Sequence, residues 1–261
     1  MSLLAEIGRH QQQLVNDLKI NTPVSVLERF PEFGRKCVSL KEKFLHQKGP
    51  GLITEFKRRS PSIPNINLAA NPVEVVTGYE QAGAFAASVL TNEKYFGGNP
   101  ADLKAVRERS VLPLLRKDFI VDEYQVYETK AMGADIILLI AASLSPTQVK
   151  TFAQQAKELG LEVLLELKDE TEIDHICPSV DFVGVNNRDL STFKVDTGMS
   201  TRVGKLIPEE FIKVSESGIS NPEIVKHLSA EGFNGFLIGE YFMRQEKPGV
   251  ACKEFIEALN K

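Results

Sequence analysis

The alternation of short apolar segments with helical patterns constrains the fold of this chain more than any other feature. From Gly51 onward, eight apolar segments follow one another with centres about 26 residues apart, the length of one strand–helix unit. The predicted strands are Leu52–Lys57, Phe85–Thr91, Leu112–Lys117, Asp135–Ile140, Glu162–Leu167, Phe182–Asn186, Phe211–Glu216 and Gly235–Gly239. This rhythm predicts parallel strands that are joined by crossover helices.

Four of the intervening helices are predicted to begin in the same way. Asn71, Asn99, Ser145 and Asn221 each stand directly before a proline. An Asn or Ser side chain can accept a hydrogen bond from a free N–H of the first helical turn. A proline at the first helical position loses nothing, because its missing N–H would have no partner there. These starts support helices after the strands.

Eight such units favour a closed (β/α)8 TIM barrel over a doubly wound open sheet. The chain has 261 residues, and barrels of this kind commonly need about 250. No G-x-G-x-x-G motif follows the first strand and no P-loop is present, which counts against the open sheet. We therefore predict one domain over residues 1–261, with an N-terminal helical extension at 1–50 and the barrel at 51–261.

The extension carries two helix signals. Leu3, Ile7, Leu14 and Leu18 recur near the helical period and predict one amphipathic face. The segment Ser39–Glu42 has the pattern of a capping box, which predicts a second, short helix.

Composition excludes several classes of function. The net charge of −4 gives no electrostatic reason to expect nucleic acid or an anionic membrane as a partner. No stretch approaches the ~20 apolar residues of a membrane span. Cys37, Cys177 and Cys252 form no C-x-x-C pair, and the four histidines lack metal-ligand spacing. We expect a cytoplasmic protein with reduced thiols and no metal.

Charged residues close several of the predicted strands. In a barrel the C-terminal ends of the strands converge on one mouth, where catalytic groups lie. If Phe56 packs against the helices, alternation along the strand directs Glu55 and Lys57 into that mouth. The other polar residues at strand ends are Lys117, Glu166, Asn186, Arg188, Glu216 and Ser217. Grouping ammonium and carboxylate groups in this way suits acid–base chemistry.

A structural explanation remains open for each of these residues. Lys117 stands between Arg116 and Asp118, so it could belong to a surface charge cluster. Glu216 could serve only as the ion-pair partner of a lysine. A purely structural role explains the whole group of charged residues at the strand ends less well than it explains any one of them.

Glycines near the last two strands indicate an anion site. Gly218 follows the seventh strand and Gly239 ends the eighth. The corresponding loops of barrel enzymes commonly hold phosphate with backbone N–H groups. With Ser60 and Lys57 reaching from the first loop, a phosphate pocket is expected.

Several motifs together make the sequence resemble the indole-3-glycerol phosphate synthase family over nearly its whole length. The motifs are Glu55–Ser62, Leu90–Gly98, Leu115–Asp122, Leu165–Leu167, Gly184–Leu190, Ser215–Ile219 and Phe236–Glu240. The stretches Arg-Lys-Asp-Phe and Asn-Asn-Arg-Asp-Leu are the most distinctive.

The resemblance implies a reaction. Ring closure, decarboxylation and dehydration would convert 1-(2-carboxyphenylamino)-1-deoxyribulose 5-phosphate to indole-3-glycerol phosphate, in tryptophan biosynthesis and without a cofactor. The only partner expected is this small phosphorylated substrate, bound by a monomer, with weak association with other enzymes of the pathway left open.

The resemblance also implies roles for individual residues. The positions implied in catalysis are Glu55, Lys57, Lys117, Glu166 and Asn186. Those implied in substrate binding are Ser60, Arg188, Glu216, Ser217, Gly218, Gly239 and Glu240. Lys117 would protonate the ketone oxygen during ring closure, and the division of the other acid and base steps among Glu55, Lys57 and Glu166 stays open. Asn186 and Arg188 would orient polar groups of the substrate.

The sequence departs from the family pattern at two places. Ile63-Pro64-Asn65 replaces the usual lysine and glycine of the first loop, and the proline is expected to stiffen that loop. Tyr241 stands where the family has a small residue, which would narrow a phosphate cradle at this position.

Three other functions compete with this one. A phosphoribosylanthranilate isomerase would need a cysteine and an aspartate at strand ends, and none of the cysteines falls there. A class I aldolase would use Lys117 as a Schiff base. A non-catalytic phosphate-binding barrel would retain the pocket without turnover.

Overall fold

Eight parallel strands close into a barrel in the computed structural model, which describes residues 2–47, 49–189 and 192–261. The strands are β1 (Gly51–Phe56), β2 (Ala86–Leu90), β3 (Leu114–Lys117), β4 (Ile136–Ile140), β5 (Glu162–Leu167), β6 (Phe182–Asn186), β7 (Ile212–Glu216) and β8 (Gly235–Ile238). They pair in chain order, and β8 pairs with β1. The predicted TIM barrel is confirmed, with strand boundaries displaced by two residues at most.

Helices lie between the strands and before the barrel. They are α1 (Leu3–Asn21), α2 (Val24–Leu27), α3 (Leu40–His46), α4 (Pro72–Ala82), α5 (Glu93–Phe96), α6 (Pro100–Arg107), α7 (Tyr124–Ala131), α8 (Pro146–Glu158), α9 (Gly198–Gly204), α10 (Pro222–Ala230), α11 (Glu240–Met243) and α12 (Pro248–Leu259). Short 3-10 turns at Ala141–Ser143 and Glu170–His175 follow β4 and β5. Leu190, the last residue of one family motif, lies outside the described residues.

The four predicted cap–proline starts are confirmed. The side chains of Asn71, Asn99 and Asn221 accept hydrogen bonds from backbone N–H groups in the first turns of α4, α6 and α10. Ser145 and Gln148 form a complete capping box at α8. In each of the four helices, proline occupies the first turn.

Alternation along the strands divides the apolar side chains into two layers. Phe56 is buried in the layer between the strands and the helices, as predicted. Ile53, Leu115, Leu138 and Val214 belong to a second cluster inside the barrel. This inner layer forms an apolar floor on which polar side chains at the C-terminal strand ends can rest.

The buried face of α1 differs from the predicted one. Ile7, Gln11 and Val15 are buried, whereas Leu14 is 44% exposed. Gln11 takes a core position because its Nε2 donates to Asp118 Oδ1 at 2.8 Å, beside the end of β3. Hydrophobicity alone could not reveal this face, because a polar residue with a buried partner lies at its centre.

The capping box predicted at Ser39 is formed only in part. Ser39 Oγ accepts from the Glu42 N–H, which caps α3 as expected. The same hydroxyl donates to Glu162 at the start of β5. Glu162 also accepts from the Leu40 N–H at 2.9 Å. The cap therefore ties the extension to the barrel.

An aromatic ring of the extension fills the N-terminal end of the barrel. Phe44 of α3 packs against Phe85 and Phe182, with ring centroids 5.3 and 6.1 Å apart. A Cβ at Gly51 would lie 2.5 Å from the Phe44 ring. Glycine at the start of β1 thus leaves the space that this ring occupies.

Asp135, just before β4, joins the extension to the barrel by charge. Its carboxylate is fully buried and accepts from Arg35 at 2.8 Å and from Arg107 at 2.9 Å. It also accepts from the backbone N–H groups of Val38 and Leu114 at 2.7 and 2.8 Å. Two arginines and two backbone N–H groups thus share the two oxygens of one buried carboxylate.

We expect the substitution Asp135→Asn to lower the free energy of unfolding by about 3–5 kcal/mol, because it leaves two arginines and two N–H groups without a full set of acceptors. Urea unfolding followed by circular dichroism measures the change. Glu223→Gln, at an exposed ion pair with Lys226, is the matched control and should alter stability little. Equal effects of the two substitutions would contradict a structural role for Asp135.

Candidate active site

A cavity of about 460 Å³ opens at the C-terminal ends of the strands. All of the residues predicted for the site line it. They are Glu55, Lys57, Ser60, Lys117, Glu166, Asn186, Arg188, Glu216, Ser217, Gly218, Gly239 and Glu240. The barrel thus brings together side chains that lie far apart in the sequence, as the convergence of strand ends predicts.

Lys117 lies between two buried carboxylates. Its Nζ is 2.7 Å from Glu166 Oε2 and 2.7 Å from Glu216 Oε2. Asn186 Nδ2 donates to the other oxygen of Glu166 at 2.9 Å. Burial works against the ammonium, but the two carboxylates outweigh burial and raise the pKa of Lys117 above its ordinary value. Lys117 is therefore charged at neutral pH.

The two carboxyl groups beside Lys117 differ in acidity. Burial raises the pKa of Glu216 to about 7, against the opposing effect of Lys117. The pKa of Glu166 is lowered, because Lys117 and Asn186 outweigh the cost of its burial. One ammonium cannot fully compensate two buried negative charges. The pair therefore offers one ionised carboxylate and one group that can carry a proton near neutral pH.

Two glycines make room for these carboxylates. A Cβ at Gly184 on β6 would lie 2.3 Å from Glu216 Oε1. A Cβ at Gly239 would lie 2.6 Å from Glu55 Oε1 and 2.8 Å from Glu55 Cβ. Glu55 in turn accepts from Lys57 Nζ at 2.6 Å, which gives a second lysine–carboxylate pair in the cavity. Gly239 thus has a steric role beside Glu55 that the sequence reasoning did not anticipate.

Glu240 bridges two arginines at the cavity mouth. Its Oε2 is 3.0 Å from Arg188 Nη2 and its Oε1 is 2.9 Å from Arg244 Nη2. The backbone N–H of Arg188 donates to Asn186 Oδ1 at 3.0 Å. Because Asn186 also donates to Glu166, hydrogen bonds connect Arg188 to the carboxylate beside Lys117. Arg244 was not predicted, because it follows the last family motif in the sequence.

The loop after β1 forms a tight turn. The backbone of Ser60 and that of Ile63 exchange two hydrogen bonds, of 2.8 and 3.0 Å. Ser60 Oγ accepts from the Ile63 N–H at 3.2 Å and lies 3.1 Å from Ser62 Oγ. The stiffening expected from Pro64 stays a prediction.

Ser217 and Gly218 adopt left-handed backbone conformations in succession, with φ of 68° and 76°. For Ser217 this conformation costs about 1–3 kcal/mol and needs support from its surroundings. At Gly218 a side chain has no room, because a Cβ would lie 2.2 Å from Val195 Cγ1. The turn after β7 is therefore sterically restricted to glycine at its second position.

An apolar wall, which the sequence patterns did not predict, completes the cavity. Its members are Leu3, Leu4, Ile7, Leu90, Phe96, Phe119, Leu138, Ile140, Leu237 and Ile238. The spacing of Leu3 and Ile7 marks a buried helix face, but only the tertiary structure shows that α1 crosses the barrel mouth. Such a wall can hold a flat aromatic ring.

Tyr241 lines the cavity but also packs away from it. Its ring lies 5.5 Å from that of Phe242 and 5.7 Å from that of Phe255 on α12. The narrowing expected from its bulk stays a prediction.

The surface-cluster explanation for Lys117 is wrong. Arg116, its neighbour, has a side chain only 3% exposed and pairs with Asp118 and Glu128 on the outer side of the strand. Lys117 itself points inward. Glu216 does form an ion pair with Lys117, as the structural explanation of Glu216 proposed. This ion pair lies inside the cavity.

Metal sites and membrane spans are both absent from residues 2–47, 49–189 and 192–261. No three His, Cys, Asp or Glu side chains of these segments are arranged to hold a metal ion. None of the helices in the same part of the chain has the length and apolarity to span a membrane.

Comparison with known proteins matches one protein family over most of the chain. The family model described as "Indole-3-glycerol phosphate synthase" matches residues 4–255. A protein of that name from Bacteroides thetaiotaomicron is 48% identical over 84% of this chain and 84% of its own length. Another from Salinibacter ruber is 41% identical over 96% of this chain and 94% of its own length.

Solved structures support the fold at low sequence identity. KGPDC from Streptococcus mutans gives a TM-score of 0.65 at 12% identity and covers 81% of this chain and 97% of its own. The tryptophan synthase alpha subunit of Legionella pneumophila gives 0.60 at 12% identity and covers 85% of this chain and 97% of its own. These likenesses concern the barrel alone.

The raised pKa of Glu216 predicts a pH dependence of stability. Because the pKa lies above the ordinary value of 4.5, the stabilisation from this proton is complete below about pH 4.5 and is lost as the pH rises through about 7. Relative to Glu216→Gln, the wild-type free energy of unfolding should fall by about 2 kcal/mol between pH 5 and pH 8. Urea unfolding of both proteins across this range measures the difference. Parallel curves would show that Glu216 has no raised pKa.

Proposed function

We propose that this chain, which belongs to the indole-3-glycerol phosphate synthase family, performs the reaction of that family by acid–base catalysis with its cavity lysines and glutamates. Members of the family are carboxy-lyases of tryptophan biosynthesis. They convert 1-(2-carboxyphenylamino)-1-deoxyribulose 5-phosphate to indole-3-glycerol phosphate with loss of CO₂ and water. The observation that supports the catalytic proposal best is the buried Lys117 ammonium between Glu166 and Glu216.

Ring closure needs a proton donor at the ketone. As the aromatic carbon attacks, negative charge develops on the ketone oxygen, and the Lys117 ammonium donates a proton to it. Although neighbouring carboxylates raise the pKa of Lys117, the alkoxide that would otherwise form is more basic still. A positioned proton donor typically contributes about 10²–10⁴-fold to the rate.

The later steps need a second acid and a base. Loss of CO₂ leaves its bonding electrons in the ring and restores aromaticity. Dehydration then protonates the departing hydroxyl and removes a proton from the neighbouring carbon. The cavity provides two lysine–carboxylate pairs for these transfers, Lys117 with Glu166 and Lys57 with Glu55. We assign the dehydration steps to Lys57, Glu55 and Glu166 as a group.

The remaining residues suit binding of the substrate. The apolar wall would hold the aromatic ring, and Arg188 would bind the carboxylate with the help of Asn186. Ser60, Gly218 and Gly239 would bind the phosphate beside Lys57 and Ser217. Glu216 would complete the wall around the reacting carbon, and Glu240 would set the orientation of Arg188. The cavity volume of about 460 Å³ fits a ligand of this size. A monomeric state and a cytoplasmic location remain proposals.

The geometry disfavours two of the three competing functions. None of the three cysteines is among the described residues that line the cavity, so the cysteine expected of a phosphoribosylanthranilate isomerase is missing there. A Schiff-base aldolase would need a neutral Lys117, but its two carboxylate partners favour the ammonium.

We expect Glu166→Gln to lower kcat at least ~10²-fold with a smaller effect on KM, because it removes a proton acceptor rather than a binding group. The assay follows indole fluorescence when purified protein meets the carboxyphenylamino-deoxyribulose phosphate. Glu170→Gln, an exposed change in the next loop, is the control and should keep wild-type turnover. An unchanged kcat in Glu166→Gln would remove this residue from the mechanism.

Lys117→Met should lower turnover at least ~10²-fold, because among the described residues no other ammonium lies between Glu166 and Glu216. Lys168→Met, at an exposed lysine, is the matched control. Borohydride added with substrate should leave the wild-type mass unchanged. A trapped adduct at Lys117 would favour the aldolase, and turnover that survives in Lys117→Met would remove Lys117 from the mechanism. A wild-type protein that binds phosphate but does not turn over the substrate would favour the non-catalytic barrel.

A further inference from the structure

A closed ring of buried polar side chains lies directly behind the cavity. Asn187 Nδ2 donates to Ser215 Oγ at 3.1 Å, and Ser200 Oγ donates to Asn187 Oδ1 at 2.9 Å. The two serine hydroxyls lie 2.8 Å apart. Because Ser200 already gives its proton to Asn187, Ser215 is the donor in this third bond. Asn187 is 3% exposed, and both serines are fully buried.

Bonds to the backbone fix the orientation of the Asn187 amide. Its Oδ1 accepts from the Ser200 N–H, which can only donate, at 3.1 Å. Its Nδ2 donates to the Ser217 carbonyl, which can only accept, at 3.2 Å. The side chain thus makes four hydrogen bonds, its full capacity. A fully satisfied buried network of this kind holds one geometry.

The ring acts on the turn after β7. Asn187 donates from its backbone N–H to the Glu216 carbonyl at 2.9 Å and from its side chain to the Ser217 carbonyl. These two carbonyls belong to the peptide groups before and after Ser217, the first of the two residues with a left-handed backbone conformation. Asn187 therefore supports a strained turn that faces the cavity, although its own side chain does not line it.

Packing alone does not account for these three polar residues. The space between the strands and α9 is otherwise filled by apolar side chains such as Val185 and Val203, and an apolar group there would need no hydrogen-bond partner. What the polar ring adds is a donor aimed at the Ser217 carbonyl.

We propose that Asn187, held by Ser200 and Ser215, is a positioning residue for phosphate binding at the Ser217–Gly218 turn. The inference rests on the proposed function in placing the substrate phosphate at this turn. Asn187 does not touch the phosphate. It keeps the backbone of the turn in the conformation that presents its N–H groups to the anion.

The test uses the full chain and two readouts. Calorimetry measures the Kd of inorganic phosphate, and steady-state kinetics with the phosphorylated substrate measures KM and kcat. The variants are Asn187→Ala, Ser200→Ala and the double variant. Asn234→Ala is the matched control, because Asn234 Oδ1 accepts from the Lys213 N–H at the opposite end of β7.

We expect Asn187→Ala to weaken phosphate binding and raise KM by about tenfold, the effect of about one lost buried hydrogen bond on binding. The kcat should change less than about threefold. Ser200→Ala should act in the same direction with a smaller effect, and the double variant should be no worse than Asn187→Ala. The control should bind phosphate like the wild type.

Two results would overturn the inference. One is a folded Asn187→Ala or Ser200→Ala protein with a lowered Tm but a wild-type Kd for phosphate, since the ring would then be purely structural. The other is a wild-type protein that does not bind phosphate. If Asn187→Ala fails to fold, Ser200→Ala decides alone. Phosphate binding that depends on the ring in a protein without synthase turnover would reject the reaction and keep the inference.

Discussion

The site depends on a single buried ammonium held by two carboxylates. Removing Lys117, Glu166 and Glu216 from water is costly, and their mutual attraction compensates only when the geometry is fixed. Here three different strands fix it, with both contacts at 2.7 Å. The consequence is chemical, because one carboxyl stays ionised while the pKa of the other rises to about 7. Proton donors and acceptors are thereby present in one cavity near neutral pH.

The opposite end of the barrel provides the rigidity that this arrangement needs. Phe44 fills the N-terminal opening, and Asp135 ties Arg35 of the extension to the start of β4. The extension thus closes one end with α3 and lines the cavity at the other with α1. Gln11 of α1 bonds to Asp118, the residue after Lys117. The extension is therefore part of both the core and the site.

Small residues leave the space that the charged side chains of the site occupy. Gly184 and Gly239 leave room for Glu216 and Glu55, and Gly218 avoids Val195. Behind them, the ring of Asn187, Ser200 and Ser215 holds the turn after β7. Asn187 and Ser215 are chain neighbours of the cavity residues Asn186 and Glu216 but do not line the cavity, because alternate residues face opposite sides of the sheet. Ser200 joins them from α9.

The sequence by itself determined the barrel, the helix starts and the polar residues at the strand ends, because these follow from local periodicity and from the shared direction of parallel strands. Only the tertiary structure decided which groups pair. Lys117 could not be assigned to Glu166 and Glu216, nor Arg188 to Glu240, since such contacts depend on strand register and loop paths. Leu14 was misplaced on the buried face of α1 because Gln11 is buried through a distant partner, Asp118. Pairing energies between segments about 100 residues apart leave no periodic trace in a sequence.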